Sequence, residues 1–240
     1  MKVKLIASTD LGELVCGIAA RTCVSETCPY EDDPERSMKS LKQALASHHD
    51  SVLEHWSATF AISGISRACS HQLVRHRIAS YSQQSQRYVK MNGFEYVTPE
   101  SIDKASDDVF NEFLSLMDAI DRTYQSFIER GIPEEDARYV LPNACCTNII
   151  VTMNARSLRH FFKLRLCRKS QWEIRELAER MLECVDQVSN IFADVGPACE
   201  MDGKCPERKP CNKKKLQVAV ESKRAYKENG IEDAIIDVKG

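Results

Sequence analysis

The chain has 240 residues, a hydrophobic fraction of 43% and a formal net charge of −2. That size suits one domain with at most a small appendage, and the apolar content suits a packed core rather than a disordered chain. A pI near 6.3 excludes a global pull toward nucleic acid or anionic lipid, and no apolar run approaches the ~20 residues of a membrane helix.

Met1 to Ala7 is too short for a signal-peptide core and meets Ser8-Thr9-Asp10 at once, so a soluble, cytoplasmic chain is expected. The 11 cysteines are scattered through apolar segments and read mostly as reduced core thiols. Val3 to Ala7 predicts a strand, and Leu14 to Ala20 a second one. Residues 21–36, with Pro29, Pro34 and several acids, have a loop composition. Met38, Leu41 and Leu45 place one buried face on a helix over 38–48. His48, His49 and His55 follow within eight positions. Their spacing matches no compact zinc motif, so a polar turn with one buried histidine is expected rather than a metal site.

Ala58 to Ile65 alternates and predicts a strand. Ser66 is placed to cap a helix running through Ala68, Cys69, Leu73 and Val74 into Arg75-His76-Arg77. On such a helix Gln72, Arg75 and His76 share a face, while Arg75 and Arg77 lie about 200° apart. The segment from Arg75 to Tyr88 holds three arginines, one histidine, three serines, three glutamines and no carboxylate. Guanidinium forks, hydroxyls and amides in that mixture suit a phosphate or a pyrimidine ring. Beyond Tyr81 an extended chain would place Gln83, Ser85 and Arg87 on one face and Gln84, Gln86 and Tyr88 on the other.

A long amphipathic helix is predicted over 107–130, ended by Gly131 and Pro133. A shorter one follows over 134–141 and carries Arg138 among apolar neighbours. Thr147 to Met153 predicts a strand. Asn154-Ala155-Arg156-Ser157 ends it, and a helix follows. Arg156 and His160 share one face of that helix, and Arg165 lies about 180° away. The last strong helical pattern covers 171–195, with Trp172, Leu177, Met181, Val185, Val188 and Phe192 as its stripe. Beyond Pro197, Cys199, Cys205 and Cys211 miss the paired spacing of a zinc site. Lys213 to Lys215 reads as a solvated run, and the remainder to Gly240 as a tail, partly helical at most. No G-x-G-x-x-G or Walker A segment is present.

Arg75-His76-Arg77-Ile78-Ala79-Ser80, followed by Ser85-Gln86-Arg87-Tyr88, resembles the RHRxxS…S-x-R signature of flavin-dependent thymidylate synthases. Further segments match that family in order: His49 to His55, Ala137 to Pro142, Asn154 to Ser157, and His160 through Arg165 to Gln171-Trp172-Glu173. The resemblance spans roughly residues 1–195, leaving 197–240 as a Cys- and Lys-rich extension outside a domain of residues 1–196. It implies an α/β fold of the α+β type, with a mixed, largely antiparallel central sheet flanked by helices. It also implies a homotetramer whose active sites draw on several subunits. The implied activity is a methyltransferase reaction: dUMP becomes dTMP with methylene-tetrahydrofolate as carbon donor and FAD, reduced by NADPH, as hydride source.

Carried over by position, Ser51, Arg75, His76, Arg77, Gln83, Asn154, Arg156 and His160 would hold FAD. Gln72, Leu73, Val74, Arg75, Gln83, Gln84, Ser85, Gln86, Arg87, Arg138 and Arg165 would hold dUMP. Arg165 aligns with the arginine that polarises the uracil and favours loss of its N3 proton. Position 83 is often glutamate in the family and is glutamine here, which puts a proton-transfer role in question and leaves hydrogen bonding. No metal is implied. Such chemistry needs no nucleophilic cysteine from the protein, and Cys145, Cys146 or Cys167 in that role is the weaker reading. Two other readings compete: a non-catalytic nucleic-acid-binding module built on the basic stretch, and a zinc-stabilised structural protein built on the C-terminal cysteines.

Overall fold

The computed structural model describes residues 1–30 and 33–211. Lys213 to Lys215 and the tail to Gly240 lie outside the described residues. Four strands form one antiparallel sheet in the order β1-β2-β4-β3: β1 (Lys2–Ser8), β2 (Ser57–Ser66), β3 (Ser80–Gln83) and β4 (Cys146–Asn154). The class is α+β, and among the described residues every pairing in the sheet is antiparallel.

Strand alternation sorts the two faces of this sheet. Ala58, Phe60, Ile62, Ile149, Val151 and Met153 are buried against helices. Thr59, Ala61, Ser63, Asn148, Ile150 and Thr152 point the other way and are half-buried or exposed. Within the described protomer, helices thus cover one face rather than both.

Between β1 and β2 lie α1 (Gly12–Thr22) and α2 (Pro34–Ala46). Residues 14–20, expected as a strand, are helical. A short apolar run cannot by itself distinguish the two. What decides is packing: Cys16, Gly17 and Ala20 present a small-residue face to α2. A Cβ on Gly17 would stand 2.5 Å from the Ser37 carbonyl oxygen, so only glycine permits this approach. Helix α2 begins at Pro34, four residues earlier than expected, because Asp33 caps it and Pro34 needs no amide partner there.

Its C-terminus explains the histidines. His48 takes φ 56°, while the His48 and His49 amides donate to Leu45 and Ala44. That is a Schellman cap with histidine in the position usually given to glycine. His48, His49 and His55 are all exposed, so the expected buried histidine is absent. No metal-binding group of three or more ligands occurs among the described residues.

The single-turn α4 (Glu100–Asp103) precedes α5 (Asp107–Glu129), which ends as expected. Gly131 sits at φ 81°, and the Gly131 and Ile132 amides close a Schellman cap. Met117 and Tyr124 of α5 are buried in a second cluster with Met91, Phe94, Ala137 and Cys145. Helix α6 (Glu134–Ala137) gives way to a 3-10 turn over Arg138–Val140.

Helix α7 (Ala155–Arg165) follows β4 directly, with the Asn154 side chain capping it. Helix α8 (Trp172–Asp186) packs beside β1 and α7. It stops well short of Val195. Glu13 accepts from Ser189 Oγ at 2.9 Å and the Asn190 amide at 2.5 Å, which sets a separate turn over Asn190–Phe192. Phe192 therefore reaches the core from that turn, edge-on to Trp56 at 5.1 Å, and Val188 is exposed. The chain past Pro197 begins docked: Ala198, opening α9 (Ala198–Met201), is buried, and Asp202 pairs with Lys163 of α7 at 2.7 Å.

All 11 cysteines are free thiols. Only Cys16, Cys69 and Cys145 are fully buried, so they are less a core set than expected. Among the described residues no helix is long and apolar enough to cross a membrane.

Candidate active site

Helix α3 (Arg67–Leu73) is the platform of the site. Ser66 caps it, as its position predicts, accepting from the Cys69 amide at 3.0 Å. Glu173 of α8 then takes both remaining donors of Ser66, the amide at 2.6 Å and the hydroxyl at 2.5 Å. This carboxylate is 3% exposed. It is a buried anion satisfied by two charge-assisted bonds, and it locks the start of α3 to α8.

The helix ends at Leu73, sooner than expected, so Arg75 and Arg77 leave it and the 200° separation does not apply. The Tyr81 hydroxyl causes the stop. It lies 2.9 Å from the Leu73 carbonyl and 2.8 Å from that of His76, donating to one or the other. The Arg75-His76-Arg77 backbone is thus pinned to β3, with Arg75 and Arg77 exposed.

His76 turns inward. Its ring meets Phe161 edge-on at 4.9 Å and lies 6.5 Å from His160. Arg165, the last residue of α7, donates Nε–H to His76 Nε2 at 3.0 Å. Burial, the Arg165 cation and His160 push the His76 pKa down to about 4. The imidazole is therefore neutral near pH 7 and accepts at Nε2. Arg165 has no carboxylate partner among the described residues, and burial lowers its pKa. An arginine bonded to a neutral ring keeps its charge available to a ligand.

His76 carries a pH signature. Its folded pKa of about 4 lies below the ordinary 6.5, so between these values the unfolded chain binds the proton and the folded chain resists it. Stability from this group is complete above pH 6.5 and falls as pH drops toward 4. Melting curves of the wild type and His76→Gln between pH 7.5 and 4.5 should converge or cross in favour of the variant at low pH. Curves that stay parallel would remove His76 from the acid response.

A second grouping surrounds the end of β3. The strand stops at Gln83, so the expected Gln83/Ser85/Arg87 strand face does not form. Ser85 accepts from the Arg87 amide at 3.1 Å, and its carbonyl accepts from Val89, which turns the chain back. Gln83 Nε2 donates to Ser70 Oγ at 2.9 Å and Thr147 Oγ1 at 3.3 Å, tying the strand to α3 and β4. Gln84 Oε1 accepts from Asn148 at 3.4 Å. Gln86 is buried, and Arg87 Nε pairs with Glu135 Oε2 at 3.1 Å. Arg138 Nε donates to the Glu135 carbonyl at 3.0 Å, which brings Arg87 and Arg138 to one place although they lie 51 positions apart in the sequence.

A third grouping lies at the start of α7. Arg156 pairs with Glu54 at 2.5 Å, on the same 3-10 turn as the exposed Ser51. Asn154 Oδ1 is committed to the Ser157 amide at 2.8 Å.

Of the positions picked out in the sequence, the protomer unites His76, His160 and Arg165, and separately Gln83 to Arg87 with Arg138. Ser51 and Arg156 form the third set. Gln72 and Val74 are half-buried along α3 and its end. Leu73 is fully buried, and its side chain packs in the core. Burial pushes the Cys145 thiol up and Cys146 up to about 11, which leaves neither suited to nucleophilic attack. A cleft of about 490 Å³ on the uncovered sheet face touches Gln84 but none of the arginines.

Sequence reasoning passed over Arg67, Glu173 and Tyr81 as functional positions. Arg67 had a legible signal: it is a cation at the first helical position, where the helix dipole disfavours one.

The fold and this site define an α+β protein that gathers arginines and neutral hydrogen-bonding groups around the ends of two helices. The family model for "Thymidylate synthase complementing protein" matches residues 4–189. A flavin-dependent thymidylate synthase from Geobacter sulfurreducens is 48% identical over 239 residues, covering 96% of this chain and 100% of that protein. Proteins of the same name from Pyrococcus furiosus and Sulfolobus acidocaldarius are 48% and 46% identical, covering 74% and 83% of this chain and 75% and 78% of theirs. The chain belongs to this thymidylate synthase family.

Proposed function

We infer that the chain converts dUMP to dTMP, with methylene-tetrahydrofolate as carbon donor and FAD and NADPH as the redox pair. The observation that carries the reading is Arg165: a partly desolvated guanidinium with no carboxylate partner among the described residues, aimed by a neutral imidazole. Such a group stabilises negative charge as it develops on a uracil ring losing its N3 proton. Gln83, Ser85, Gln86, Arg87 and Arg138 hold the nucleotide, with the two arginines on its phosphate. Gln72, Arg75 and the backbone around Leu73 and Val74 complete that subsite, and Gln84 lies beside it.

The donor set also fits a flavin dinucleotide. Arg75, Arg77, Arg156, His76 and His160 present cationic and hydrogen-bonding groups, and among the described residues Arg156 alone of them is ion-paired, with Glu54. That imbalance suits a pyrophosphate. Ser51, Gln83 and Asn154 add neutral polar contacts. Bound FAD, once reduced, supplies the hydride. The protein supplies alignment, charge and exclusion of water.

No hydrogen bond or ion pair joins one grouping to another among the described residues, and the uncovered sheet face exposes Ile6 and Ile150. Both features support a homotetramer in which neighbouring copies complete each site. The reading also places the enzyme in the cytoplasm. The stretch from residue 197 onward is an extension of separate role.

The direct test is the visible spectrum and product of the purified protein. Flavin absorbance and dTMP formation linked to NADPH oxidation are expected. A colourless protein that takes up no FAD and makes no dTMP ends the reading. Arg87→Ala should weaken dUMP binding by about 1.5–3 kcal/mol, the value of a charge-assisted bond. Unchanged affinity in a dUMP titration would place Arg87 away from the nucleotide.

A further inference from the structure

Arg67 is the first residue of α3, but its side chain leaves the helix for the junction of β3 and β4. Nη1 lies 3.3 Å from Thr147 Oγ1 and 3.5 Å from the Gln84 carbonyl, and Nη2 lies 3.2 Å from Gln86 Oε1. All three acceptors are neutral. Gln86 is 9% exposed, and its amide nitrogen faces Cys145 Sγ at 3.8 Å, so Arg67 is the partner of its oxygen. One guanidinium thereby ties both ends of the Gln84–Gln86 turn to β4.

Charge adds to the geometry. Burial lowers the Arg67 pKa, the Cys145 thiol opposes that shift, and the nearby Arg138 cation adds to it. Arg138 bonds the Glu135 backbone, and the Glu135 carboxylate is taken by Arg87. Three arginines around one turn therefore share a single carboxylate among the described residues. Partly buried like charges repel, and a dianion beside them removes that repulsion.

We propose that Arg67 is a positioning residue for the dUMP phosphate: it fixes the Gln84–Gln86 turn so that Ser85 and Arg87 meet the phosphate, and its unneutralised charge strengthens the field there. The proposal rests on the reading of the chain as a dUMP-binding synthase. Arg67 acts through the turn and the field, and bonds the turn's neutral groups rather than the nucleotide.

The test uses the full-length, FAD-loaded enzyme with Arg67→Met and Arg67→Lys. Arg67→Met should raise the KM for dUMP by about 30-fold, as expected for loss of a charged hydrogen-bonding anchor. Its kcat should stay within about threefold, and its flavin absorbance per chain should match the wild type. Arg67→Lys keeps the charge without the fork, so its KM should rise by about three- to tenfold. Deoxyuridine, which lacks the phosphate, should bind Arg67→Met and wild type alike. An unchanged KM in either variant overturns the proposal. So does a fall in kcat and flavin content without a KM change, the mark of a purely structural residue. If Arg67→Met does not fold, the Arg67→Lys KM decides alone. A wild type that makes dTMP beside variants of normal KM overturns this proposal only. A wild type that binds no dUMP overturns the functional reading, and this proposal with it.

Discussion

Replacing Arg165 with alanine should lower turnover by about a thousandfold or more while FAD stays bound. The site explains both halves. Removing one neutral donor from a site that stabilises developing negative charge typically costs about a hundred- to a thousandfold. Arg165 contributes a full charge, partly shielded from water and uncompensated by any carboxylate among the described residues. The flavin-binding set proposed above, Arg75, Arg77, Arg156, His76 and His160, does not include Arg165, and only His76 of that set is bonded to it, so flavin absorbance should persist. Arg165→Lys should fall between the two, because an ammonium keeps the charge but not the Nε–H that His76 aligns. Arg165→Ala also removes one of the groups that depress His76, so that histidine should titrate closer to its ordinary value in the alanine variant. Steady-state kinetics at saturating dUMP would decide the matter. A loss in kcat of less than tenfold would mean that the charge on the ring is stabilised elsewhere.

Glu173→Ala should be the most destabilising polar substitution in the platform. It strips two short bonds from Ser66 and leaves a buried amide and hydroxyl without acceptors. A bond to a charged group is worth about 1.5–3 kcal/mol, and an orphaned buried donor adds its desolvation cost. Losses of this kind within one cluster are not additive, so a total of about 3 kcal/mol is expected. For a domain of this size that corresponds to a drop in Tm of about 6–12 °C. Glu173→Gln should cost less, because its amide still accepts from the Ser66 amide and donates to the hydroxyl oxygen. Ser66→Ala should also cost less, since the amide bond to Glu173 survives. Thermal melts of the three variants give the ranking. A Tm for Glu173→Ala within 2 °C of wild type would show that α3 is held by its apolar contacts alone. Turnover should fall with stability, since α3 carries Gln72 and leads into the Arg75-His76-Arg77 segment.

Each element is legible in the sequence over the range at which its own signal acts. Helix α5 and its Gly131 cap were legible because a long period and a cap residue lie within one segment. Strands β2 and β4 were legible for the same reason. Residues 14–20 were not, since an apolar run of that length fits a strand or a helix until α2 packs on it. The end of α3 was misplaced because the group that stops it, the Tyr81 hydroxyl, comes from a different element. The proposed strand face after Tyr81 failed because Ser85 bonds its own neighbour and turns the chain.

By itself the sequence determined the inventory: a carboxylate-free run of arginine, histidine and glutamine, and the cap Ser66. Family membership followed from that inventory. Tertiary structure alone decided which groups meet. Arg165 reaches His76 across 89 residues, and Glu173 reaches Ser66 across 107. Periodicity and capping act over one or two turns of chain, whereas these pairings depend on how α7 and α8 pack against the sheet, which no local pattern encodes.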